Sequence, residues 1–378
     1  MRVAIFVGTR ADLGPLEPVI AAFAEAGHDT HLLTGVAFDA DSLAARTEHI
    51  PGTTIHSLTQ PVVELTPAAM TQQSAAIMKS LGDLFADIAF DVCVVLGDRW
   101  ELLSVVPAAF LAGIKIVHIH GGEVTEGAID ERVRHAVTKL ADIHCAASAD
   151  AASRIAQMGE PRDRIFVTGA PGLDRIASAA PATDAELSAL LGREVVRPLA
   201  LFTYHPPTAT RDAPLEEWTR AALGAALAVC GTVIVTDPGV DEGRERILAT
   251  LDEMAVSDDR IVRIPSLGAR YPMTLRAVDV VVGNSSSGVI EAASAGVPAV
   301  DIGSRQAGRL RAASVVHAGD VQEEIRSAVE RALEFARSDG MLVGVVNPYG
   351  EGDSARRIVA AASLVGTFPV QKEFVDQD

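Results

Sequence analysis

The sequence predicts two doubly wound α/β domains in succession, and three observations carry that prediction. Short apolar runs alternate with longer amphipathic ones from end to end, the pattern of βαβ units built on a parallel sheet. The 378 residues exceed one ordinary domain, and 48% hydrophobic residues with a mean hydropathy of +0.24 can fill two cores. An Ala- and Asp-rich stretch closed by Arg197-Pro198 separates two such series of runs.

In the first series, strands are expected at Val3 to Val7, His31 to Thr34, Val92 to Leu96, Lys115 to His118, His144 to Ala146 and Ile165 to Val167. Their β-branched, near-continuous apolar character suits strands covered on both faces. The second series begins with Leu199 to Thr203 and continues through Val233 to Val235, Ile261 to Arg263, Val280 to Val282 and Ala299 to Ile302. The expected organisation is a Rossmann-like domain over 1–170, a crossing segment over 171–198 and a second Rossmann-like, nucleotide-binding domain over 199–353. A closing helix, about 354–366, is placed to pack back on the first domain, and the polar residues Gln371 to Asp378 are expected to fray.

Composition excludes several classes of function. A formal charge of −18 and a pI near 4.9 argue against a nucleic-acid partner, which requires clustered Lys and Arg. An anionic small ligand stays open, because local cations and helix N-termini act at short range. No apolar run reaches the length of a membrane-spanning helix. Met1 to Gly8 reads as a first buried strand and not as a leader, so a cytoplasmic protein is expected. Cys93, Cys145 and Cys230 lie far apart in apolar surroundings and read as inert buried thiols.

Charged residues gather where strands end. Gly97-Asp98-Arg99-Trp100-Glu101 follows one strand, and His118-Ile119-His120-Gly121-Gly122-Glu123 ends the next. Asp130 and Glu131 then open a helix that also carries Arg134 and His135, cations one turn away that would keep the acids ionised. In a parallel sheet these groups project from the carboxyl edge, where open α/β sheets hold ligands. His118, His120 and Glu123 admit a metal reading, but no further His or Cys follows at ligand spacing. The alternative is one His packed in the sheet and one oriented by a carboxylate.

Four further segments are candidates for binding. Gly8-Thr9-Arg10 lies at a strand-to-helix turn from which Arg10 could reach a phosphate, or is an ordinary turn with a solvent-facing Arg. Gly283-Asn284-Ser285-Ser286-Ser287-Gly288 places three hydroxyls at a helix start, more than a cap requires, so a diphosphate fits there without Lys. Glu291, about one turn on, could accept from ribose hydroxyls. His205 ends the first strand of the second series as a phosphate partner or proton donor, or as a structural His. Asp237, with Pro238 and Gly239, occupies the same edge and is equally readable as a turn.

With these motifs in order, the chain resembles the hydrolysing UDP-N-acetylglucosamine 2-epimerases of bacterial sialic-acid pathways. The likeness spans nearly the full length. It rests on Gly97-Asp98-Arg99, His118 to Glu123, Asp130-Glu131 with Arg134-His135-Ala136, Gly283 to Gly288, Gly303 to Arg309 and Asn347 to Gly352. The resemblance implies a GT-B-like pair of domains with the active site in the interdomain cleft, no metal or other cofactor, and a homodimer or homotetramer. It further implies Asp98, Glu123 and Glu131 as catalytic acids with Asp130 beside them, and it adds Asn284, Arg309 and Arg134 to the UDP-sugar contacts. Which acid removes the C2 proton stays open. The position after Asp12 is often Tyr in such enzymes and is Leu13 here, which leaves the sugar open: a UDP-linked diacetamido-trideoxy hexose is the alternative substrate. A non-hydrolysing epimerase, a glycosyltransferase and a nucleotide-sugar sensor are the rival activities.

Overall fold

The computed structural model describes residues 1–62, 66–124, 129–207, 213–239, 243–337, 345–369 and 371–376, but not the side chains of Arg10 and Ile129. The chain begins β1 (Arg2–Phe6), α1 (Arg10–Glu25), β2 (Asp29–Thr34), α2 (Ala40–Thr47), β3 (Thr53–Ser57), α3 (Pro67–Asp87), β4 (Val92–Leu96) and α4 (Leu102–Leu111). It goes on through β5 (Lys115–Ile119), α5 (Ile129–Leu140), β6 (Ile143–Ala146), α6 (Ala149–Gln157), β7 (Ile165–Val167), α7 (Gly172–Ser178) and α8 (Asp184–Leu191). Next come β8 (Leu199–Thr203), α9 (Leu215–Leu227), β9 (Thr232–Thr236), α10 (Arg244–Ser257), β10 (Ile261–Arg263), α11 (Tyr271–Leu275) and β11 (Val280–Gly283). The last elements are α12 (Ser286–Ile290), α13 (Ala292–Ala295), β12 (Ala299–Ile302), β13 (Val315–Ala318), α14 (Gln322–Arg337) and α15 (Ser354–Ser363).

Two compact units result, the fold class expected. Unit one comprises Met1–Glu123, Ile129–Asp174 and Gly352–Asp378, and unit two comprises Val124–Ala128 and Arg175–Glu351. In unit one the described strands form a parallel sheet in the order β3-β2-β1-β4-β5-β6-β7. Alternation along β1 explains why both faces are covered. Val3, Ile5 and Val7 pack with α1 and with Ile358 and Ala362 of α15, while Ala4 and Phe6 pack with Ile77, Leu81, Val105 and Val133 on the other face.

Unit two repeats the plan with a parallel sheet in the order β10-β9-β8-β11-β12-β13. Ala200 and Phe202 face α9 and α14, and Leu199 and Leu201 face a cluster that includes Leu187, Leu275 and Ala292. Each sheet reverses its winding once, between β1 and β4 and between β8 and β11. Those switch points open crevices at the carboxyl edges of the strands.

Three features depart from the sequence expectations. β3 and β13 were not anticipated. Both are edge strands whose residues are mostly half-exposed or exposed, so they carry no continuous apolar run. The tail is not frayed over 371–376: the Lys372 ammonium donates to Lys139 O at 2.9 Å, Ala141 O at 2.6 Å and Glu160 at 2.6 Å, and the Phe374 ring covers Gly159. The buried Glu160 carboxylate and two backbone carbonyls, all more than two hundred residues away, hold it, which local polarity does not reveal.

Candidate active site

Strand register in unit one brings the acidic motifs together. Val95 pairs with His118 and Leu96 with Ile119, so the turn at Gly97-Asp98 and the turn at His120 to Glu123 leave the sheet side by side. Gly122 permits the second turn: its φ is +73°, and a Cβ there would lie 2.2 Å from Ala151 O of α6. His120 adopts φ +64°, a strained left-handed conformation for a non-glycine residue, and its Nδ1 hydrogen-bonds Glu123 Oε1. His118 lies buried in the sheet with Nε2 on Gly97 O at 2.8 Å and Nδ1 against Thr138 Oγ1 at 3.3 Å. Burial pushes its pKa down to about 3, so the neutral ring donates to Gly97 O and fixes the turn before Asp98. Of the two readings of these histidines, the geometry is that of one packed in the sheet and one held by a carboxylate. Among the described residues no group of three or more His, Cys, Asp or Glu is arranged to hold a metal.

Arg134 organises the acids. It lies on the face of α5 that carries Val133 and Val137 and is 1% exposed. One guanidinium nitrogen donates to Glu131 Oε2 at 2.6 Å and to Glu123 O at 2.5 Å, and the other donates to Asp98. Burial alone would lower the Arg134 pKa, but Asp98, Glu123 and Glu131 outweigh it and hold it above the ordinary arginine value. A planar fork suits this work better than an ammonium, since it meets several acceptors in fixed directions. His135 Nε2 approaches Glu131 at 3.4 Å, and Asp130 stands half-buried in the first turn of α5. Arg134, anticipated as a UDP-sugar contact, is engaged here with carboxylates of its own unit. Arg10 opens α1, but its side chain lies outside the described residues.

A second acidic pair, absent from the sequence expectations, lies at the same switch point. A methyl group at Gly8 would meet Glu101 Oε1 at 2.7 Å and Asp12 Oδ2 at 3.2 Å. Arg99 Nε donates to the fully buried Glu101 at 2.8 Å, and Asp12 accepts from Thr9 N at 2.7 Å. Burial pushes the Asp12 carboxyl up to about 6, opposed by Arg99 and reinforced by Glu101. The Asp12 position within Gly8 to Gly14 and the Glu101 position within Gly97 to Glu101 were visible, but not that β1 and β4 are neighbours.

Unit two assembles the polar motifs at the ends of β8, β9, β11 and β12. Gly283 has φ +146°, and a Cβ there would lie 1.9 Å from Thr203 O, so no other residue fits between β8 and β11. Asn284 is occupied: its Oδ1 accepts from His205 N at 2.7 Å and its Nδ2 donates to His205 O at 2.8 Å, extending the ladder by a side chain. His205 in turn accepts from Gly239 N at Nδ1, 3.0 Å, which leaves the proton on Nε2. Burial, with the Arg305 charge added, pushes its pKa down to about 3, so it offers a neutral N–H donor and not a cation. Asp237, expected among the substrate contacts or as a turn residue, pairs with Arg263 at 2.6 Å and Arg244 at 3.2 Å.

Ser285 caps α12, accepting from Ser287 N at 3.4 Å and Ser287 Oγ at 3.0 Å, with Ser286 the first helical residue and Gly288 buried. Glu291, the C-terminal cap of this short helix, accepts from Tyr271 Oη at 2.6 Å. Arg305 and Gln306 donate to Asn284 O at 3.1 and 3.0 Å, whereas Arg309 lies further along the loop and donates its backbone N–H to Gln306 O. Arg305, beside His205 and Asn284, is a cation at this edge that the motif Gly303 to Arg309 contained but did not single out.

The three cysteines are free and buried, and burial pushes each thiol up to about 12.

Comparison with known proteins places this geometry. Residues 39–363 match the family model described as UDP-N-acetylglucosamine 2-epimerase. The chain is 29% identical over 392 residues to a UDP-N,N'-diacetylbacillosamine 2-epimerase (hydrolyzing) of Legionella pneumophila, covering 100% of this chain and 99% of that protein. It is 29% identical over 389 residues to a UDP-N-acetylglucosamine 2-epimerase of Neisseria meningitidis, covering 99% of each. Among solved structures it is similar to a UDP-GlcNAc 2-epimerase from Neisseria meningitidis bound to UDP-GlcNAc, with TM-score 0.77 at 17% identity over 95% of this chain and 99% of that one.

Proposed function

The chain belongs to the UDP-N-acetylglucosamine 2-epimerase family, and on that premise we propose that it is a hydrolysing member, converting UDP-N-acetylglucosamine and water to N-acetylmannosamine and UDP. The observation that carries the proposal is the buried Arg134 fork, which gathers Asp98, Glu131 and the Glu123 backbone beside the Glu123–His120 pair. The proton on C2 of the sugar is a poor acid, so its removal needs a positioned carboxylate and a leaving group that departs in the same step. One acid of the set takes that proton as UDP leaves C1 by anti elimination, which gives 2-acetamidoglucal. Water then adds at C1, and a second acid returns a proton to C2 from the opposite face. The need for two faces accounts for more than one carboxylate at one edge.

In this reading unit two takes the UDP. The His205 Nε2–H, the Arg305 guanidinium and the Ser286 hydroxyl are the donors offered to a developing diphosphate charge, with Asn284 holding His205 in place. Glu291 accepts from the ribose. The His-Gly-Gly-Glu run at 120–123 supports the hydrolysing over the non-hydrolysing reaction, which would return a UDP-linked manno sugar. Free buried thiols suit a reducing compartment, and the proposal places the enzyme in the cytoplasm. It also includes a homo-oligomer. Leu103, Phe110 and Leu111 share one face of α4 and are 49%, 57% and 75% exposed, an apolar stripe suited to a second copy.

A second substrate is favoured by one specific observation, the Legionella relative named for UDP-N,N'-diacetylbacillosamine. The test is anion-exchange analysis of the purified protein with each UDP-sugar. UDP with a neutral sugar product from UDP-N-acetylglucosamine supports the proposal. Release from the diacetamido substrate alone moves it to the second reading, and a UDP-linked epimer overturns the hydrolytic assignment.

A further inference from the structure

Tyr271 belongs to none of the motifs that suggest a nucleotide-sugar site, yet it touches the residue assigned to the ribose. It opens α11, after β10, and its ring packs with the cluster that contains Leu275, Ala292 and Ala295. Its phenol donates to Glu291 Oε2 at 2.6 Å and is also hydrogen-bonded to the Ser287 side chain. Ser287 and Glu291 stand one helical turn apart, and Glu291 N donates to Ser287 O at 2.9 Å, so the three polar groups form one cluster at the end of β11.

We propose that Tyr271 is a positioning residue for nucleotide recognition: it fixes the Glu291 carboxylate so that the remaining oxygen reads a ribose hydroxyl. The inference rests on the reading that this edge of unit two binds UDP. A carboxyl group has two oxygens, so Tyr271 on Oε2 orients the group and turns the other oxygen toward a second partner. Burial raises the Glu291 pKa above the ordinary carboxylate value, and the Tyr271 hydrogen bond and the Arg175 charge oppose that rise without cancelling it. Burial and Glu291 raise the Tyr271 pKa well above its ordinary value, so the phenol remains a donor at all working pH values. The groups facing Glu291 are thus a permanent donor, a hydroxyl and a cation, which together hold it as an oriented acceptor. A site built to pair with a hydroxyl discriminates against the analogue that lacks it, because its own polar group is left unpaired.

Calorimetric titration with UDP, 2'-deoxy-UDP and 3'-deoxy-UDP tests this in the wild type and in Tyr271→Phe, which keeps the ring and its packing. The wild type is expected to bind UDP about tenfold more tightly than at least one deoxy nucleotide, one charge-assisted hydrogen bond by magnitude. In Tyr271→Phe the ratio is expected to fall to about twofold. A ratio that stays near tenfold, with or without equal weakening of both nucleotides, would reduce Tyr271 to a tie between α11 and α12 and overturn the proposal. Equal binding of all three nucleotides by the wild type would overturn the ribose reading of Glu291 and the role of Tyr271 with it. No UDP binding by the wild type would instead overturn the assignment of this edge to UDP.

Discussion

Replacing Arg134 by Met keeps most of the side-chain volume but removes the guanidinium that donates to Asp98, Glu131 and the Glu123 carbonyl. Breaking a buried ion pair from one side costs about 3–5 kcal/mol, because the partner charge stays behind unpaired. Arg134 is 1% exposed, whereas the Asp98 and Glu131 side chains are 23% and 25% exposed, so water reaches these carboxylates in part, and His135 stays near Glu131. The lower end, about 3 kcal/mol, is therefore expected. With a urea m value of about 2 kcal/mol/M for a unit of this size, the midpoint should fall by about 1.5 M. The two tryptophans allow the measurement: Trp100 packs on the core of unit one and Trp218 on that of unit two, so fluorescence in a Trp218→Phe background reports unit one. Turnover should fall at least about a hundredfold, since acids displaced by about 1 Å lose that much. Arg134→Lys keeps the charge and loses the fork, and should fall between the two. A midpoint within about 0.3 M of wild type, or turnover within about threefold in Arg134→Met, would refute the organising role of this residue.

Glu123→Gln and Asp98→Asn are each expected to lower turnover at least about a thousandfold while leaving UDP binding within about tenfold, roughly 1.4 kcal/mol; near-normal turnover in either variant would remove that acid from the mechanism. The buried neutral His118 makes stability acid-sensitive. Its folded pKa is about 3 against about 6.5 unfolded, so its contribution is complete above pH 6.5 and is lost as the pH falls toward 3. His118→Asn should reduce the slope of stability against pH between 6 and 4 by about one proton, or about 1.4 kcal/mol per pH unit, and an unchanged slope would contradict the assignment. Phe110→Glu on the exposed face of α4 is expected to shift the light-scattering mass toward the protomer, whereas an unchanged mass would free that face from any role in assembly.

The central strands were legible because both of their faces are covered. Val92 to Leu96 and Leu199 to Thr203 read as strands by composition alone, and the structure bounds them at those residues. The edge strands Thr53–Ser57 and Val315–Ala318 were not legible, since an edge needs no continuous apolar run. Spacing on α5 placed Arg134 next to Glu131, but its bond to Asp98, 36 residues away, depends on β4 and β5 being neighbours. The same holds for Asn284, whose amide is used on the His205 backbone once β8 and β11 pair, and for Asp237, which two arginines from other segments take up. Nothing near Tyr271 in the sequence marks it, because its partner lies 20 residues on and across another strand. Motifs thus located the edges, while long-range pairing decided which polar groups at each edge are already occupied.

The most direct test of the account is proton NMR of the purified protein with UDP-N-acetylglucosamine in deuterated water. Elimination followed by hydration predicts UDP together with free N-acetylmannosamine that carries deuterium at C2. A free sugar that retains its original C2 hydrogen, or a UDP-linked manno product, would contradict it.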